Sequence, residues 1–395
     1  MRRLINQVRP YQWGSSTAIP RLLGTPPDGR PQAELWLGAH PGAPSALLTE
    51  DGERSFDSVI TADPKEVLGE RTVTTFGERL PFLLKVLAAD APLSLQVHPD
   101  ADRAHAGFAL EEAKGIAADA PERNYRDPNH KPELVLALEP FEALCGFRSP
   151  RDACVELAGF TSPLARALHE DLARPDERTA LRSAMTRLLT LPRDDRAELV
   201  DTMVAELALR PRCGPHAATV AELAHRYPGD PGAVAALLLN RITLQPGEAL
   251  FLPAGNVHAY LRGVAVEVMA SSDNVLRAGL TGKHVDPVEL LDVVDFAVLP
   301  IPYASPAREA NRLDYRPAVP DFALSVLEPG SGPTVLDGGA PSIVLVLEGA
   351  ARMRAQCGSE LVLVRGESAF VAASDGAIAV DGGAHAVVAT TGALD

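Results

Sequence analysis

The segment Gln96-Val97-His98 places two potential metal ligands in a stretch with strand character. Side chains two residues apart project from the same face of a strand, so the amide oxygen of Gln96 and the imidazole of His98 can be directed at one point. This spacing suits a metal site. Taken alone, the segment also fits a pair of polar residues at the end of a sheet.

The segment 129–133 concentrates charge just before an apolar run. It contains two basic side chains, His130 and Lys131, and the carboxylate of Glu133. Such density at the entrance of a predicted strand indicates a functional site. The alternative is a solvated loop, because the preceding Asp-Pro-Asn is good turn sequence.

His258 ends the segment 252–258, and Glu267 follows on the next stretch of alternating residues. Two imidazoles, one carboxylate and one amide oxygen are then available, from His98, His258, Glu133 and Gln96. This set suits a single Zn²⁺ ion and leaves room for water or substrate, as in catalytic sites. Other divalent first-row metals bind the same atoms, so the ligand types favour zinc without fixing it.

The polar segment 269–281 contains Asp273 and Arg277. Arginine can bind a phosphate through two parallel hydrogen bonds or stabilise a developing oxyanion, and its charge does not titrate. Arg277 is a candidate for either role, and the alternative is a surface salt bridge worth about 0–1 kcal/mol. The candidates for proton transfer are His130, Lys131, Asp273 and Glu267.

The elements that position these residues are predominantly β. The chain has 31 glycines and 34 prolines among 395 residues, and they separate short apolar runs such as 81–87 and 93–97. This pattern is typical of strands and turns. Strand patterns return in 242–255 and 264–268, and again beyond residue 301. The strands beyond residue 301 indicate a second, smaller sandwich or barrel. Turn-separated strands of this kind are typical of a jelly roll and also of other sandwiches.

Between about residues 149 and 240 apolar side chains recur at helical spacing, which predicts a helical insert. The residues concerned are Leu181, Met185, Leu188, Leu189, Leu199, Met203 and Leu207. Asp230-Pro231 predicts the start of the last helix, running towards Asn240. Asp286-Pro287, with Glu289 three residues past the cap, predicts one more short helix.

Composition narrows the class of protein and its partners. A net charge of −15 argues against binding to nucleic acid or to an anionic membrane, both of which reward clustered Lys and Arg. No apolar run is long enough for a signal peptide or a membrane span. The cysteines lack a C-x-x-C pair and favour reduced thiols in the cytoplasm; they are Cys145, Cys154, Cys213 and Cys357.

Two longer motifs resemble the signatures of the type I mannose-6-phosphate isomerases. Tyr125-x-Asp127-x-Asn129-His-Lys-Pro-Glu133 is similar to the first, and His258-Ala-Tyr-Leu-x-Gly263 through Ala278-Gly279 is similar to the second. Shorter similar stretches are Trp13-Gly14-Ser15, Ala33-Glu34-Leu-Trp-Leu-Gly-Ala-His40, Leu80-Pro-Phe-Leu-Leu-Lys85, Ser94-Leu-Gln-Val-His-Pro99 and Phe141-Glu-Ala-Leu-Cys-Gly-Phe147. The resemblance covers roughly residues 1–148 and 242–300.

The resemblance implies a mainly β protein with three units. These are a cupin-type jelly-roll catalytic domain (1–148 plus 242–300), a helical insert domain (149–241) and a second cupin-like domain (301–395). It also implies that zinc is bound by Gln96, His98, Glu133 and His258. The substrate pocket would be lined by Ser94, Lys131, Arg277 and Glu267. The family signature ends Thr-Pro-Lys, whereas this chain has Thr281-Gly282-Lys283, so the loop is looser but Lys283 remains for substrate binding.

By the same resemblance, the expected activity is interconversion of mannose 6-phosphate and fructose 6-phosphate through an enediol(ate). The expected partner is a small sugar phosphate, the expected state is a monomer or homodimer, and the product would serve mannose catabolism or GDP-mannose biosynthesis. One alternative is a non-haem iron oxygenase, which also uses two histidines and a carboxylate, although Gln96 would occupy a position that dioxygen needs. The other is a sensor that binds a sugar phosphate without turning it over.

Overall fold

The computed structural model describes residues 1–50, 52–209, 214–330 and 332–394, and Cys213 lies outside these ranges. The strands of the first half are β1 (Arg2–Ile5), β2 (Gln7–Arg9), β3 (Glu34–Leu37), β4 (Ala46–Thr49), β5 (Gly52–Ser55), β6 (Phe82–Ala89), β7 (Leu95–Val97), β8 (Glu133–Ala137), β9 (Phe141–Phe147), β10 (Leu239–Leu244), β11 (Ala249–Leu252), β12 (His258–Ala270) and β13 (Leu276–Gly279). Those that follow are β14 (Tyr303–Ala304), β15 (Ala307–Glu309), β16 (Arg312–Tyr315), β17 (Ala323–Leu327), β18 (Thr334–Leu336), β19 (Ser342–Glu348), β20 (Ala350–Ala355), β21 (Glu360–Val364), β22 (Ser368–Val371), β23 (Ile378–Asp381) and β24 (His385–Thr390).

The α-helices fall into three groups along the chain. Those before the insert are α1 (Ala18–Leu23), α2 (Phe56–Ala62), α3 (Pro64–Leu68), α4 (Glu70–Phe76) and α5 (Ala101–Ala113). Those of the insert are α6 (Pro150–Leu157), α7 (Pro163–Leu172), α8 (Glu177–Leu189), α9 (Arg196–Ala208), α10 (Pro215–Arg226) and α11 (Pro231–Ala235), and α12 (Pro287–Val293) follows the catalytic strands. The mainly β fold with a helical insert is confirmed.

The first β unit is a jelly roll of two antiparallel sheets that share β12. The second half of β12 pairs with β6 and β8, whereas its first half pairs with β9 and β7. One sheet has the strand order β14-β11-β8-β12-β6-β3-β2, and the other contains β10, β9, β12, β7 and β13. An apolar cluster that includes Val135, Phe141 and Leu250 joins the two sheets, so β12 closes the unit around one interior.

Gly263 is the residue at which β12 passes from one sheet to the other. Its φ of +122° lies in a region that side chains other than glycine rarely adopt. A Cβ at this position would be 2.5 Å from the carbonyl oxygen of Pro140 and 2.8 Å from the Cα of Phe141. The bend of β12 therefore requires glycine.

The helical insert packs its apolar side chains against the jelly roll. Leu181, Met185, Leu188 and Met203 are buried in one cluster that also contains Val97 of β7. The predicted cap of the last helix is confirmed, because Oδ1 of Asp230 accepts a hydrogen bond from the Gly232 backbone N–H at 2.7 Å. That helix is shorter than predicted. A 3₁₀ turn follows it, and strand β10 begins at Leu239.

Two other helix expectations have mixed outcomes. Asp286 caps α12 as predicted, through bonds from the backbone N–H groups of Val288 and Glu289 at 3.1 Å each. The side chain of Glu289 does not turn back to the cap, however, and binds Arg103 on α5 instead.

Helices α2–α5 are not expected from the sequence of residues 1–148. The turns of these helices lie between strands. The apolar runs of those strands dominate the local sequence pattern and hide the helical spacing.

The second β unit has a nine-stranded sheet in the order β15-β16-β17-β24-β19-β22-β1-β4-β5 and a four-stranded sheet in the order β18-β23-β20-β21. Three strands of the larger sheet, β1, β4 and β5, come from the first 55 residues. The segment 1–148 therefore contributes to both β units. A boundary at residue 301 divides the sequence, but it does not divide the larger sheet, which contains strands from both sides of that residue. Pairing between strands so distant in the chain leaves no local sequence pattern.

The free cysteines of the described ranges differ in exposure: Cys145 is buried, Cys154 is partly buried and Cys357 is exposed. No helix within these ranges combines the length and the apolar character needed to span a bilayer.

We expect Gly263→Ala to lower the free energy of unfolding by about 2–4 kcal/mol, because it combines a disfavoured φ with a backbone clash. Gly247→Ala is the matched control. Gly247 also has a positive φ, +88°, but a Cβ there has open space around it, so we expect a loss of about 1 kcal/mol. Chemical denaturation measures both. Equal stability of the two variants would contradict the role given to Gly263.

Candidate metal centre

Three adjoining strands carry the residues predicted to bind metal. Gln96 lies in β7 with His98 just beyond its end, Glu133 begins β8 and His258 begins β12. In the antiparallel pair of β12 with β7, His258 stands directly opposite Gln96. Glu133 stands opposite Met269 near the other end of β12. The jelly roll thus brings together side chains from three distant parts of the sequence.

His98, Glu133 and His258 form a compact, buried group. Nε2 of His98 is 3.3 Å from Oε1 of Glu133, and Nε2 of His258 is 3.4 Å from Oε2. One ligand atom from each residue lies within 4.8 Å of the others. Each side chain is about 1% exposed. This spacing suits a single ion at the centre of the three.

Backbone carbonyls orient both imidazoles. Nδ1 of His98 lies 2.9 Å from the carbonyl oxygen of Asn274, and Nδ1 of His258 lies 3.0 Å from that of Asn256. A carbonyl oxygen can only accept, so each Nδ1 carries the proton and each Nε2 presents a lone pair to the centre. Nε2 of His98 and Oε2 of Glu133 are buried with no hydrogen-bond partner. Such unsatisfied atoms fit metal ligation.

The electrostatics keep these groups in the form that binds a cation. Burial alone would raise the pKa of Glu133, but the Lys131 ammonium and the two histidines hold the pKa well below its usual range. Burial, together with the charge of Lys131, lowers the pKa of His98 to about 4. At neutral pH the centre therefore offers a carboxylate and a neutral imidazole, which are the forms that ligate metal.

Gln96 reaches the same centre from β7. Its Nε2 is 3.2 Å from Nε2 of His258. A half-turn of the terminal amide exchanges its nitrogen and oxygen, which brings an acceptor oxygen to this place. The structure thus brings together all four residues that the sequence predicted as ligands.

A second buried group of charges adjoins the centre. Oε2 of Glu267 is 3.2 Å from Nζ of Lys85, and its Oε1 accepts a hydrogen bond of 3.0 Å from the Tyr260 hydroxyl. Burial and the negative charge of Glu133 raise the pKa of Glu267. Lys85 also lies 5.3 Å from the ring centre of Trp36. The aromatic face adds to the attraction that holds this ammonium in place.

Asp273 lies beside His40. Nε2 of His40 is 3.4 Å from Oδ1 of Asp273. Burial would raise the pKa of Asp273, but the contact with His40 and the charges of Lys131 and Lys85 lower it. Asp273 is half exposed and lines a cavity together with His40 and Arg126.

Arg277 belongs to a patch of positive charge on β13 and its neighbouring loops. It stands opposite Gln96 in the pair of β13 with β7. Burial and the nearby charge of Arg126 lower the pKa of Arg277, and burial with the charges of Arg277 and Arg126 lowers the pKa of Lys283. Ser94 precedes β7, two residues before Gln96, and alternation along the chain places it on the same face. The patch is suited to an anion.

His130 is the predicted site residue that the structure does not bring to the centre. Its Nε2 lies 2.8 Å from Oδ2 of Asp321, in the C-terminal part of the chain. The adjacent Lys131 is buried and its Nζ binds Oε1 of Glu133. The two basic side chains of this segment therefore have different surroundings.

Comparison with known proteins places the chain in a family. A family model described as phosphomannose isomerase type I, catalytic domain, matches residues 1–150. Over 389 residues the chain is 41% identical to the mannose-6-phosphate isomerase of Escherichia coli (strain K12), and the match covers 97% of each chain. The chain belongs to the type I phosphomannose isomerases. The mannose-6-phosphate isomerase of Homo sapiens is 32% identical over 381 residues, covering 87% of this chain and 86% of that protein.

Solved structures of a mannose 6-phosphate isomerase share the whole fold. The Salmonella typhimurium enzyme described as bound to its substrate, fructose 6-phosphate, and to zinc aligns with a TM-score of 0.90 at 39% identity, over 100% of both chains. The apo form of that enzyme aligns with a TM-score of 0.91, over 100% of this chain and 99% of that chain.

Several residues of this phosphomannose isomerase site are not assigned by the sequence analysis. Lys85 lies within a buried apolar strand, and a lysine in such a run is itself a signal that could have found it. His40 and Arg126 take part through neighbours that are remote in sequence, for which no local signal exists. Tyr260 lies two residues after His258 in a strand pattern, which places both on one face and could have indicated it. Asn274 has no assigned role in the sequence, yet its carbonyl orients His98.

We expect His258→Ala to lose its bound metal, because the change removes one of three mutually oriented ligands. The measurement is zinc content by atomic spectrometry after loading with Zn²⁺ and dialysis. His105→Ala, an exposed change on α5, is the control and should retain the ion. Unchanged zinc content in His258→Ala would exclude this residue from the ligand set.

Proposed function

We propose that this chain is a zinc-dependent enzyme that interconverts mannose 6-phosphate and fructose 6-phosphate. The observation that carries the proposal is the buried group of His98, Glu133 and His258, whose free ligand atoms face one point beside a patch of positive charge. The match to E. coli mannose-6-phosphate isomerase over 97% of the chain supports the same reaction.

The three residues of this group would hold one zinc ion, and Gln96 would be the fourth protein ligand. When bound, the ion would supply Lewis-acid stabilisation of negative charge that develops on the sugar oxygens. The interior of the jelly roll keeps this charge in surroundings of low dielectric constant, where each electrostatic contact is stronger than in water. Residues 1–148 with 242–300 would supply the catalytic domain, apart from β1, β4 and β5, which join the sheet of the C-terminal domain 301–395. Residues 149–241 would form the helical domain.

The phosphate would bind at the positive patch of Arg126, Arg277 and Lys283, with the Ser94 hydroxyl as a further donor. Two of these cations have lowered pKa values that reflect burial and mutual repulsion. An anion with about two negative charges relieves this repulsion, and arginine matches its oxygens with paired hydrogen bonds. The end of the patch at Arg277 lies next to Gln96, so the bound sugar extends towards the centre.

The isomerisation needs a proton acceptor at C2 and a donor at C1. As the acceptor takes the C2 proton, the C–H electron pair forms the C1=C2 bond of the enediol(ate) and negative charge moves to O1. Transfer of the O2 proton to O1 and return of a proton to C1 then leave a hydroxyl at C1 and a carbonyl at C2. Glu267 is the best acceptor, because its raised pKa makes it a stronger base than an ordinary carboxylate.

The other proton-transfer candidates suit different roles. The pKa of Asp273 is lowered, which makes it a weaker base than Glu267. Lys131 is bound to Glu133, so its ammonium would donate to a sugar oxygen rather than accept a proton. Arg277 would stabilise the charge on the enediol(ate) from the side of β13.

Neither alternative function fits the site as well. An iron oxygenase would need adjacent positions free for dioxygen, and Gln96 competes for one of them. A sensor without turnover would not need a buried carboxylate with a raised pKa beside the centre.

We further propose a cytoplasmic monomer or homodimer that serves mannose catabolism or GDP-mannose biosynthesis. The free thiols of the described ranges support the compartment, because reducing conditions keep cysteines in this form.

Purified protein is expected to convert mannose 6-phosphate to fructose 6-phosphate, to stop after chelation and to recover when zinc is restored. A coupled assay for fructose 6-phosphate measures all three states. Folded, zinc-loaded protein that gives no product would exclude the isomerase. Sugar-phosphate binding without turnover would then indicate the sensor, and oxygen consumption that depends on iron would indicate the oxygenase.

We expect Arg277→Ala to lower kcat/KM for mannose 6-phosphate by about 10²–10³-fold. The variant lacks the fixed positive charge that would stabilise the anionic intermediate. Zinc content should not change. Arg262→Ala is the control. Arg262 is an exposed arginine paired with Glu222 at 2.9 Å, and its loss should change kcat/KM by less than about twofold. Wild-type turnover in Arg277→Ala would remove the role proposed for this residue.

A further inference from the structure

The contact between His130 and Asp321 joins the catalytic jelly roll to the C-terminal part of the chain. Nε2 of His130 is 2.8 Å from Oδ2 of Asp321. A carboxylate oxygen accepts, so the imidazole N–H is the donor. The Asp321 side chain is 3% exposed, whereas that of His130 is 26% exposed. A carboxylate buried to this degree needs a partner, because leaving it unpaired would be strongly destabilising.

The backbone on both sides of Asp321 is held in place. The next residue, Phe322, is fully buried in a core cluster that contains residues of the larger sheet and of the jelly roll. The carbonyl oxygen of Pro320 accepts a hydrogen bond of 2.9 Å from the N–H of Gly392. Asp321 therefore projects from a fixed support and cannot easily follow a displaced histidine.

The segment that contains His130 also continues directly into the metal centre. Lys131 is the next residue, and its ammonium binds the carboxylate of Glu133. On its other side, the segment is held by Asn274, whose Nδ2 donates to the carbonyl oxygens of Asp127 and Asn129 at 2.7 and 2.8 Å. The segment is thus anchored at residues 127–129 from within the jelly roll, and at His130 from the C-terminal unit.

Arg79 strengthens the same junction. Its Nη2 donates to Oδ1 of Asn129 at 2.9 Å. Burial lowers the pKa of Arg79, while the negative charges of Asp321 and Asp127 oppose this effect. Asp321 is therefore close enough to interact with a second cation that holds the segment.

We propose that Asp321 is a positioning residue for the isomerase site, which acts through His130 to fix the placement of Lys131 and Glu133. This inference rests on the proposed function. It gives the C-terminal unit a task in the reaction, and it gives His130 a structural partner instead of a role in proton transfer. A displacement of about 1 Å at a reacting group can cost about 10²-fold in rate, so loss of this anchor should be visible in turnover.

The test compares full-length Asp321→Ala, Asp321→Asn, His130→Ala and the double variant His130→Ala/Asp321→Ala. We expect Asp321→Ala and His130→Ala each to lower kcat by about 10–100-fold, with zinc content near one ion per chain. The double variant should be no slower than the slower single variant, because both changes break one link. Asp321→Asn keeps an acceptor oxygen for the imidazole and should recover most of the activity.

Hydrogen–deuterium exchange provides a readout that does not depend on turnover. Residues 126–132 should exchange at least about tenfold faster in Asp321→Ala than in wild type. Glu328→Gln is the matched control, since it removes a carboxylate at the other end of β17, and this carboxylate pairs with exposed Arg308 at 2.6 Å. Its kcat and its exchange in residues 126–132 should equal those of wild type.

Some outcomes would overturn the inference. A folded Asp321→Ala with kcat within about twofold of wild type would do so, and so would a slow His130→Ala beside a fast Asp321→Ala, which would indicate a direct role for His130. If Asp321→Ala does not fold, the kcat of His130→Ala and its hydrogen–deuterium exchange in residues 126–132 test the inference instead. Wild-type protein without turnover would refute the proposed function, and exchange in residues 126–132 would still test the anchor.

Discussion

The buried carboxylate of Glu133 is the constraint on which the rest of this structure depends. A charge with about 1% exposure would be strongly destabilising without partners of opposite sign. The fold supplies such a partner in Lys131 on the same segment. It also directs Nε2 of His98, beyond β7, and Nε2 of His258, on β12, at the same point, where a bound cation would add positive charge. Removing Lys131 would leave the carboxylate with less compensation. The metal centre is thus also the polar core of the jelly roll.

This constraint explains the shape of β12. The strand must present His258 to one sheet and Glu267 to the other, so it has to cross between them, and Gly263 provides the bend. The same strand therefore links the group that would bind metal with the group that would transfer a proton. Asn274 has a similar double function, because its carbonyl orients His98 while its side chain holds residues 127–129.

The candidate residues that the structure brings together are those whose local spacing has a direct geometric meaning. Gln96 and His98 share a strand face, and Glu133 follows a dense charged turn, so their convergence could be anticipated. The helical insert is evident from its periodicity. Arg126 escapes notice because its partners are distant in the chain, whereas Lys85 has a local signal in the apolar run around it. The pairing of β1 with β22 and the turn of His130 towards Asp321 are tertiary choices that no local pattern encodes.

The central claim is that His98, Glu133, His258 and Gln96 enclose one zinc ion. Anomalous diffraction at the zinc absorption edge, from crystals of zinc-loaded protein, tests it most directly. The account predicts a single strong peak about 2.0–2.2 Å from Nε2 of both histidines and from oxygens of Glu133 and Gln96, with Lys131 displaced from the ligating oxygen. An empty centre, or a peak bound by other residues, would contradict it.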